Sequence, residues 1–225
     1  MDEVERLYNE GKLLIRAMDQ PTPRIKKEIS YYECRTWVDE FDSLMKEGLG
    51  SLSTTLIVPN VGVRTYKNIG FLVNSDLANC FHIAKEDSGS AGSYNDGTFL
   101  ANPPDYKTIN ELKDYIIKNN AITMNEVNIN VKLDGVVGLF INKCEKTPYL
   151  LMKILIVKKT LQALTGIDYP IYLYDWLNGK LNRIDLTKEQ EEDIIVNLKA
   201  NRVMIWPDSI DEPVYIPLES EQLHR

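Results

Sequence analysis

The sequence contains few cysteines and histidines, and this limits the sites it can build. Its three cysteines are an odd number without a CxxC pair, so we expect neither a disulfide framework nor a zinc site, and no metal is predicted. Of the two histidines, only His82 lies well inside the printed sequence. His82 is therefore the one internal imidazole available as a general base.

Basic residues are outnumbered by acidic ones. Lys and Arg together number 26 against 33 Asp and Glu, which gives a formal net charge of -7. Nonspecific binding to nucleic acid depends on clustered positive charge that displaces counterions. We therefore expect no DNA or RNA partner.

Long apolar runs are also missing. The most apolar window, Tyr149 to Leu164, is interrupted by three lysines and is too short to span a bilayer, so it predicts a buried helix and no membrane span. The opening residues, MDEVERLYNEGK, are too charged for the apolar core of a signal peptide. Together with the cysteine pattern, these features favour a cytoplasmic location.

Hydrophobic residues make up 44% of the 225 positions, enough to bury a substantial core, and their spacing predicts both helices and strands. Helical spacing occurs in residues 2–18, after Arg35, after Thr108 with a capping box at Glu111, in residues 149–164, and after Thr187. Strand-like runs are ISYYEC, TTLIV, IGFLVN and CFHIA. Hairpins are expected around Asp134-Gly135 and Asn178-Gly179.

The order of these elements favours a single α+β fold in three parts. We expect an N-terminal helical segment (1–28), a mixed β core (29–147), and a C-terminal extension of helix, hairpin and helix (148–225) packed on the core. Residues 86–104 are rich in Gly, Ser, Asn, Asp and Pro. They predict a long loop of the kind that often has a function.

Three short stretches place polar side chains at the ends of predicted strands. ECRTWVDEF has Arg35 between a strand and a helix, SLSTTLIV opens a strand with Ser53, Thr54 and Thr55, and MNEVNI opens another with Glu126. In this order the stretches resemble the Arg, Ser-Thr-Ser and Glu signature of the ADP-ribosyltransferase superfamily of toxins.

The resemblance covers about residues 29–142 and implies an ADP-ribosyltransferase-like core that uses NAD. It implies that Arg35 binds the phosphates or ribose of NAD, that the Ser53–Thr55 segment supports the nicotinamide site, and that Glu126 holds the ribose hydroxyl. It also implies a protein substrate in a target cell. The protein would then be an effector or toxin that a signal-peptide-independent system delivers into the host cytoplasm.

Chemistry supplies a reason for each of these residue types. A planar guanidinium holds two pyrophosphate oxygens with parallel hydrogen bonds, which an ammonium does less well. Cleavage of the nicotinamide bond creates an oxocarbenium-like ribosyl cation, which a nearby carboxylate stabilises. A short hydroxyl can orient that carboxylate without crowding the ring.

Three further residues bear on substrate and acceptor. Tyr66 and Phe71 follow the hydroxyl-bearing strand, and we expect them to form an aromatic wall for nicotinamide. Many members of the family carry Glu or Gln two residues before the catalytic glutamate, where this sequence has Met124. That difference makes arginine a less favoured acceptor of ADP-ribose.

Two alternative functions remain open. His82 and Glu86, with an upstream serine such as Ser53, resemble the Ser and His-x-x-x-Glu set of AMP-transferring bacterial effectors, which consume ATP. A strand through CFHIA would separate positions four apart by about 13 Å, too far for direct cooperation. The second alternative is a noncatalytic binding module on the same scaffold, in which Arg35 and Glu126 would point apart. Taken singly, an arginine at a strand end is most often solvated or paired with a surface carboxylate.

Overall fold

The computed structural model describes residues 2–26, 29–87, 94–95, 98–99, 104–120, 124–199, 202–205 and 214–217. The helices in these ranges are α1 (Glu3–Glu10), α2 (Arg35–Lys46), α3 (Ile109–Asn119), α4 (Thr147–Thr165) and α5 (Lys188–Lys199). The strands are β1 (Leu13–Met18), β2 (Thr22–Lys26), β3 (Ile29–Glu33), β4 (Leu49–Ile57), β5 (Ile69–Asn74), β6 (Asn79–Ala84), β7 (Tyr94–Asn95), β8 (Thr98–Phe99), β9 (Glu126–Val131), β10 (Val136–Asn142), β11 (Ile171–Asp175), β12 (Lys180–Ile184), β13 (Arg202–Ile205) and β14 (Val214–Pro217).

One mixed sheet of eight strands organises the fold. Its order is β12-β11-β10-β5-β1-β4-β9-β6, and β10 and β11 are its parallel pair. Smaller two-stranded pairs are formed by β2 with β3, β7 with β8, and β13 with β14. The protein is therefore a mixed α+β fold, as the sequence predicts at this level. Strands from all three predicted segments contribute to the one large sheet.

The central strand β1 is the main difference from the sequence prediction, which had one helix over residues 2–18. The chain leaves α1 at Gly11, whose φ of +69° is the left-handed conformation that commonly ends helices. The next residues, LLIRAM, form β1 between β4 and β5. Leu13, Leu14 and Ile15 are buried, so the apolar spacing that suggested a helix belongs to a buried central strand.

The strands β9 and β10 do not pair with each other, so the hairpin predicted around Asp134-Gly135 is wrong. β9 lies between β4 and β6, and β10 lies between β5 and β11. A short 3-10 turn, Leu133–Gly135, connects the two strands. Alternation of apolar and polar residues is local, so it predicts that a strand exists without specifying its neighbours.

Several other local predictions are confirmed. Thr108 and Glu111 form the capping box of α3, and Thr187 accepts a hydrogen bond from the backbone N–H of Gln190 at the start of α5. The predicted hairpin around Asn178-Gly179 is the β11–β12 pair. The predicted loop at 86–104 lies largely outside the described residues.

An aromatic cluster packs α2 against the sheet. The rings of Trp37 and Phe41 on α2 meet Phe71 on β5 edge to face, and Phe41 also meets Tyr169. All four side chains are buried, and each contributes about 1.5–3 kcal/mol through burial. The apolar helix α4 lies against α2 and β10. None of the helices within the described ranges combines the length and the hydropathy that a bilayer span requires.

Candidate active site

The candidate site forms where β4 changes its pairing partner. Near its C-terminal end, β4 pairs with β1 as far as Thr55, which lies opposite Ile15. Its N-terminal part pairs instead with β9, as far as Thr54 opposite Val127. Each half of β4 therefore has one edge without a strand ladder, and the buried backbone groups on that edge need other hydrogen-bond partners.

Two side chains supply those partners. The buried amide of Asn125, directly before β9, accepts a hydrogen bond from the backbone N–H of Leu56 at 2.8 Å and donates to the carbonyl of Leu56 at 2.9 Å. On the other edge of β4, Nη1 of Arg16 donates to the carbonyl of Ser53 at 3.3 Å. Side chains thus link β1, β4 and β9 where the backbone ladders end.

A cavity of about 580 Å³ opens at this point, within the size range of small-molecule sites. Its walls come from the middle of β1, the middle of β4, the start of β9 with the two residues before it, and two residues elsewhere in the chain. The lining residues are Ile15, Arg16, Ala17, Ser53, Thr54, Thr55, Tyr66, Asp87, Met124, Asn125 and Glu126.

The hydroxyl segment of β4 is tied to the strand that carries Glu126. The hydroxyl of Thr54 donates to the carbonyl of Val127 at 2.7 Å, and that of Thr55 donates to the carbonyl of Asn125 at 3.2 Å. These bonds lie on either side of Glu126, which lines the cavity although it is only 4% exposed. The two predicted motifs therefore meet, and their relative position is fixed by hydrogen bonds on both sides of the glutamate.

Strand geometry places the hydroxyl of Ser53 on the same side of the sheet as this carboxylate. Ser53 lies directly opposite Asn128 in the β4–β9 ladder, and directly opposite residues share a face. Since side chains alternate along a strand, Glu126 lies on the same face of β9 as Asn128. Ser53 and Glu126 thus face a common space.

Arg35 lies outside this cavity, contrary to the arrangement that the sequence predicts. It is the first residue of α2, its side chain is 79% exposed, and its Nε lies 3.7 Å from the carboxylate of Asp39 one turn further along the helix. The strand before it, β3, pairs with β2 in a separate ribbon. The predicted order of strand, arginine and helix is present, but that strand does not belong to the large sheet.

The two aromatic residues that are predicted to form a nicotinamide wall lie in different parts of the structure. Phe71 is buried in the aromatic cluster under α2 and does not line the cavity, so it contributes to the core. Tyr66 does line the cavity and is 69% exposed, with Nζ of Lys67 placed 4.8 Å from the centre of its ring. Tyr66 is therefore the aromatic side chain that a bound molecule can contact.

Two of the three residues of the AMP-transfer alternative, His82 and Glu86, do not line the cavity. His82 is buried on the edge strand β6, and Glu86 is exposed beyond the end of that strand. Ser53 on β4 is separated from β6 by the whole of β9. Of the three side chains in that alternative, the cavity includes Ser53 alone.

Arg16, Asp87 and Asn125 are polar cavity residues that the sequence analysis did not name, and Arg16 is the one with a positive charge. It lies on β1 directly opposite Phe71 of β5, and so on the face that α2 covers. Its Nη2 lies 2.6 Å from Oε1 of Glu40 on α2, and its Nε lies 3.4 Å from Oε2. The signal that could have found it is Gly11 followed by LLIRAM, a helix stop followed by an apolar run containing a single charge.

The sequence matches no family model and no curated protein. Function therefore has to be inferred from the chemistry of the cavity. The cavity combines one guanidinium with two carboxylates, those of Glu126 and Asp87, and with three hydroxyl-bearing residues of β4. Within the described residues, no group of three or more His, Cys, Asp or Glu side chains is placed to hold a metal ion.

Proposed function

We propose that this protein is an ADP-ribosyltransferase that transfers ADP-ribose from NAD to a protein side chain, with loss of nicotinamide. The observation that carries the proposal is that Arg16, the Ser53–Thr55 segment and Glu126 line one cavity, with Arg16 on the face of the sheet that α2 covers and Ser53 and Glu126 on the other face. These groups follow the chain order of the Arg, Ser-Thr-Ser and Glu signature, with Thr55 in place of its second serine. Arg16 is proposed to take the role that the family resemblance implies for Arg35.

Arg16 is proposed to bind the pyrophosphate of NAD. Arg16 lines the cavity, and its guanidinium is held by Glu40 and by the carbonyl of Ser53, so a phosphate oxygen would meet a donor whose direction is already set. Arg35 offers a guanidinium of the same chemistry, but it lies in solvent outside the cavity.

Glu126 is proposed to stabilise the ribosyl cation. The bond between C1′ of the ribose and the nicotinamide nitrogen breaks, and its electron pair leaves with the nicotinamide. Positive charge then develops on C1′ and the ring oxygen, until the acceptor donates an electron pair to C1′ and releases its proton to water. The buried position of Glu126 strengthens its attraction to that charge, because little water competes.

The remaining walls suit the nicotinamide end of NAD and limit the acceptor. Tyr66 offers an exposed aromatic face to a planar ring. Met124 lines the cavity two residues before Glu126, and its thioether cannot take a proton from an acceptor. This favours a protein acceptor other than arginine. In line with the family resemblance, the acceptor is proposed to belong to a target cell into which the protein is delivered.

The first prediction concerns Glu126→Gln, which keeps the shape of the side chain and removes its charge. We expect nicotinamide release from NAD, in the presence of lysate proteins as acceptors, to fall by about 100-fold or more, because the ribosyl cation loses its stabilising carboxylate. Circular dichroism should show an unchanged fold. Glu86→Gln is the matched control, since it removes an exposed carboxylate outside the cavity.

Full nicotinamide release by Glu126→Gln would contradict the role given to this residue. If the unmodified protein releases no nicotinamide and NAD does not stabilise it thermally, the noncatalytic binding module would be favoured. Stabilisation by ATP alone would favour AMP transfer. A ligand present at about a hundredfold over its dissociation constant adds about 2.7 kcal/mol of stability, so the three outcomes are separable by thermal shift.

A further inference from the structure

The ion pair between Arg16 and Glu40 joins the cavity to the helix that covers the sheet. The carboxylate of Glu40 meets the guanidinium edge-on, with Nη2 to Oε1 at 2.6 Å and Nε to Oε2 at 3.4 Å. The side chains are 25% and 22% exposed, so the pair is shielded from much of the solvent. This two-point contact fixes the plane of the guanidinium as well as its position.

The guanidinium has donors left over for a ligand. It carries five N–H groups, of which Glu40 takes one on Nε and one on Nη2, and the carbonyl of Ser53 takes one on Nη1. Among the described residues no further acceptor is recorded for Arg16, so one N–H on each Nη atom remains. Two such N–H groups form the fork that matches two oxygens of a phosphate.

Arg35 shows what an arginine without this support looks like in the same protein. Its guanidinium has one ion-pair contact, at 3.7 Å to Asp39 in the next turn of the same helix, and it is 79% exposed. Such a side chain keeps most of its rotamer freedom, which a ligand would have to remove on binding. Arg16 has given up that freedom before any ligand arrives.

We infer that Glu40 is a positioning residue that aims the guanidinium of Arg16 at the pyrophosphate of the substrate. The inference rests on the proposed function, because it assigns a partner within the same site. Glu40 does not touch the substrate, and it acts only through Arg16. A negative charge this close to a phosphate-binding arginine weakens its attraction for anions, so the role given to Glu40 requires that the gain in orientation outweigh that loss.

Orientation of Arg16 by Glu40 and the negative charge of Glu40 change the affinity for ADP-ribose in opposite directions, so removal of Glu40 shows which effect is larger. We expect Glu40→Ala to raise the dissociation constant of ADP-ribose, measured by isothermal titration calorimetry, by about tenfold. The KM for NAD in nicotinamide release should rise by a similar factor, with little change in kcat. Glu40→Gln keeps one acceptor for Nη2 and should recover part of the affinity. Asp42→Asn, which removes an exposed carboxylate of the same helix, is the matched control.

Tighter binding of ADP-ribose by Glu40→Ala or Glu40→Gln would overturn the inference, because Glu40 would then be a competitor of the ligand. Unchanged affinity for ADP-ribose in both Glu40 variants would overturn the inference as well. If only Arg16→Ala bound ADP-ribose more weakly, the proposed function would still stand. If the unmodified protein neither binds ADP-ribose nor releases nicotinamide, the proposed function fails and the inference fails with it. Urea unfolding of each variant separates loss of affinity from loss of fold.

Discussion

At the scale of single residues, polar side chains replace backbone hydrogen bonds at the edges of β4. The amide of Asn125 pairs with both backbone groups of Leu56, as a neighbouring strand would, and Arg16 does the same for the carbonyl of Ser53. A continuous ladder between β4 and its two neighbours would leave no gap between the strands. The cavity therefore exists because these side chains, and not strand backbone, satisfy β4 at this point.

Asn125→Ala should destabilise the fold. The substitution leaves the N–H and the carbonyl of Leu56 without partners at a buried position, and each such group costs about 1–3 kcal/mol. We expect the free energy of unfolding in urea to fall by about 2–4 kcal/mol with an unchanged m-value. Asn119→Ala, which loses a hydrogen bond on the exposed face of α3, should change it by less than about 0.5 kcal/mol. Equal effects of the two substitutions would contradict this account.

At the scale of elements, β1 is the strand on which the site depends. It pairs with β4 on one side and β5 on the other, and it brings Arg16 between the cavity and α2. The close approach of β5 requires a residue without a side chain, because a Cβ at Gly70 would lie 1.9 Å from the carbonyl oxygen of Arg16. The position of the guanidinium is thus linked to the backbone spacing of two strands.

Gly70→Ala should therefore affect both stability and binding. Because the obstructing atom belongs to the backbone of β1, the two strands must move apart, and we expect a loss of at least about 2 kcal/mol in urea unfolding. We also expect weaker ADP-ribose binding, because Arg16 moves with its strand. Gly50→Ala on β4 is the control, since its Cβ would make an ordinary contact at 3.8 Å. If Gly70→Ala were as stable as Gly50→Ala, β1 and β5 could move apart without loss of stability, and this prediction would be wrong.

At the scale of the whole molecule, a buried charge makes stability depend on pH. Lys153 lies within the apolar helix α4, and burial, together with the nearby charge of Lys146, lowers the pKa of its ammonium to about 8. Its Nζ donates to Oε1 of Gln20 at 2.9 Å. The pKa in the unfolded chain is higher, so between these two pKa values the unfolded state binds more protons, and the contribution of Lys153 to stability rises with pH.

Lys153→Met should remove this dependence. Below pH 8 the folded protein bears the full cost of the buried charge, so we expect the substitution to raise the free energy of unfolding at pH 7 by up to about 3 kcal/mol. Near pH 10 the gain should be much smaller, because the folded-state amine is already neutral. Urea unfolding from pH 6 to 10 measures both values. Lys159→Met, at an exposed position of α4, should show no such trend, and a gain independent of pH would point to packing alone.

Local signals account for most of what could be predicted from the sequence. The capping box of α3, the Asn-Gly hairpin between β11 and β12, and the start of β9 at Glu126 depend on residues only a few positions apart. The predicted strand start at Ser53 is wrong, because β4 already begins at Leu49. The partners of β9 and β10 depend on contacts between distant segments, which alternation does not encode. Arg16 was missed for a related reason, since a short apolar run fits both a helix and a buried strand.

By itself, the sequence determined the mixed α+β composition, the buried α4 helix, and the presence of hydroxyl and carboxylate side chains on two strands. Only the tertiary structure decided which arginine accompanies them. Both Arg16 and Arg35 have suitable chemistry, but β1 pairs within the large sheet while β3 pairs in a separate ribbon. Strand pairing is a contact between segments distant in the chain, and it alone determines which guanidinium reaches the cavity.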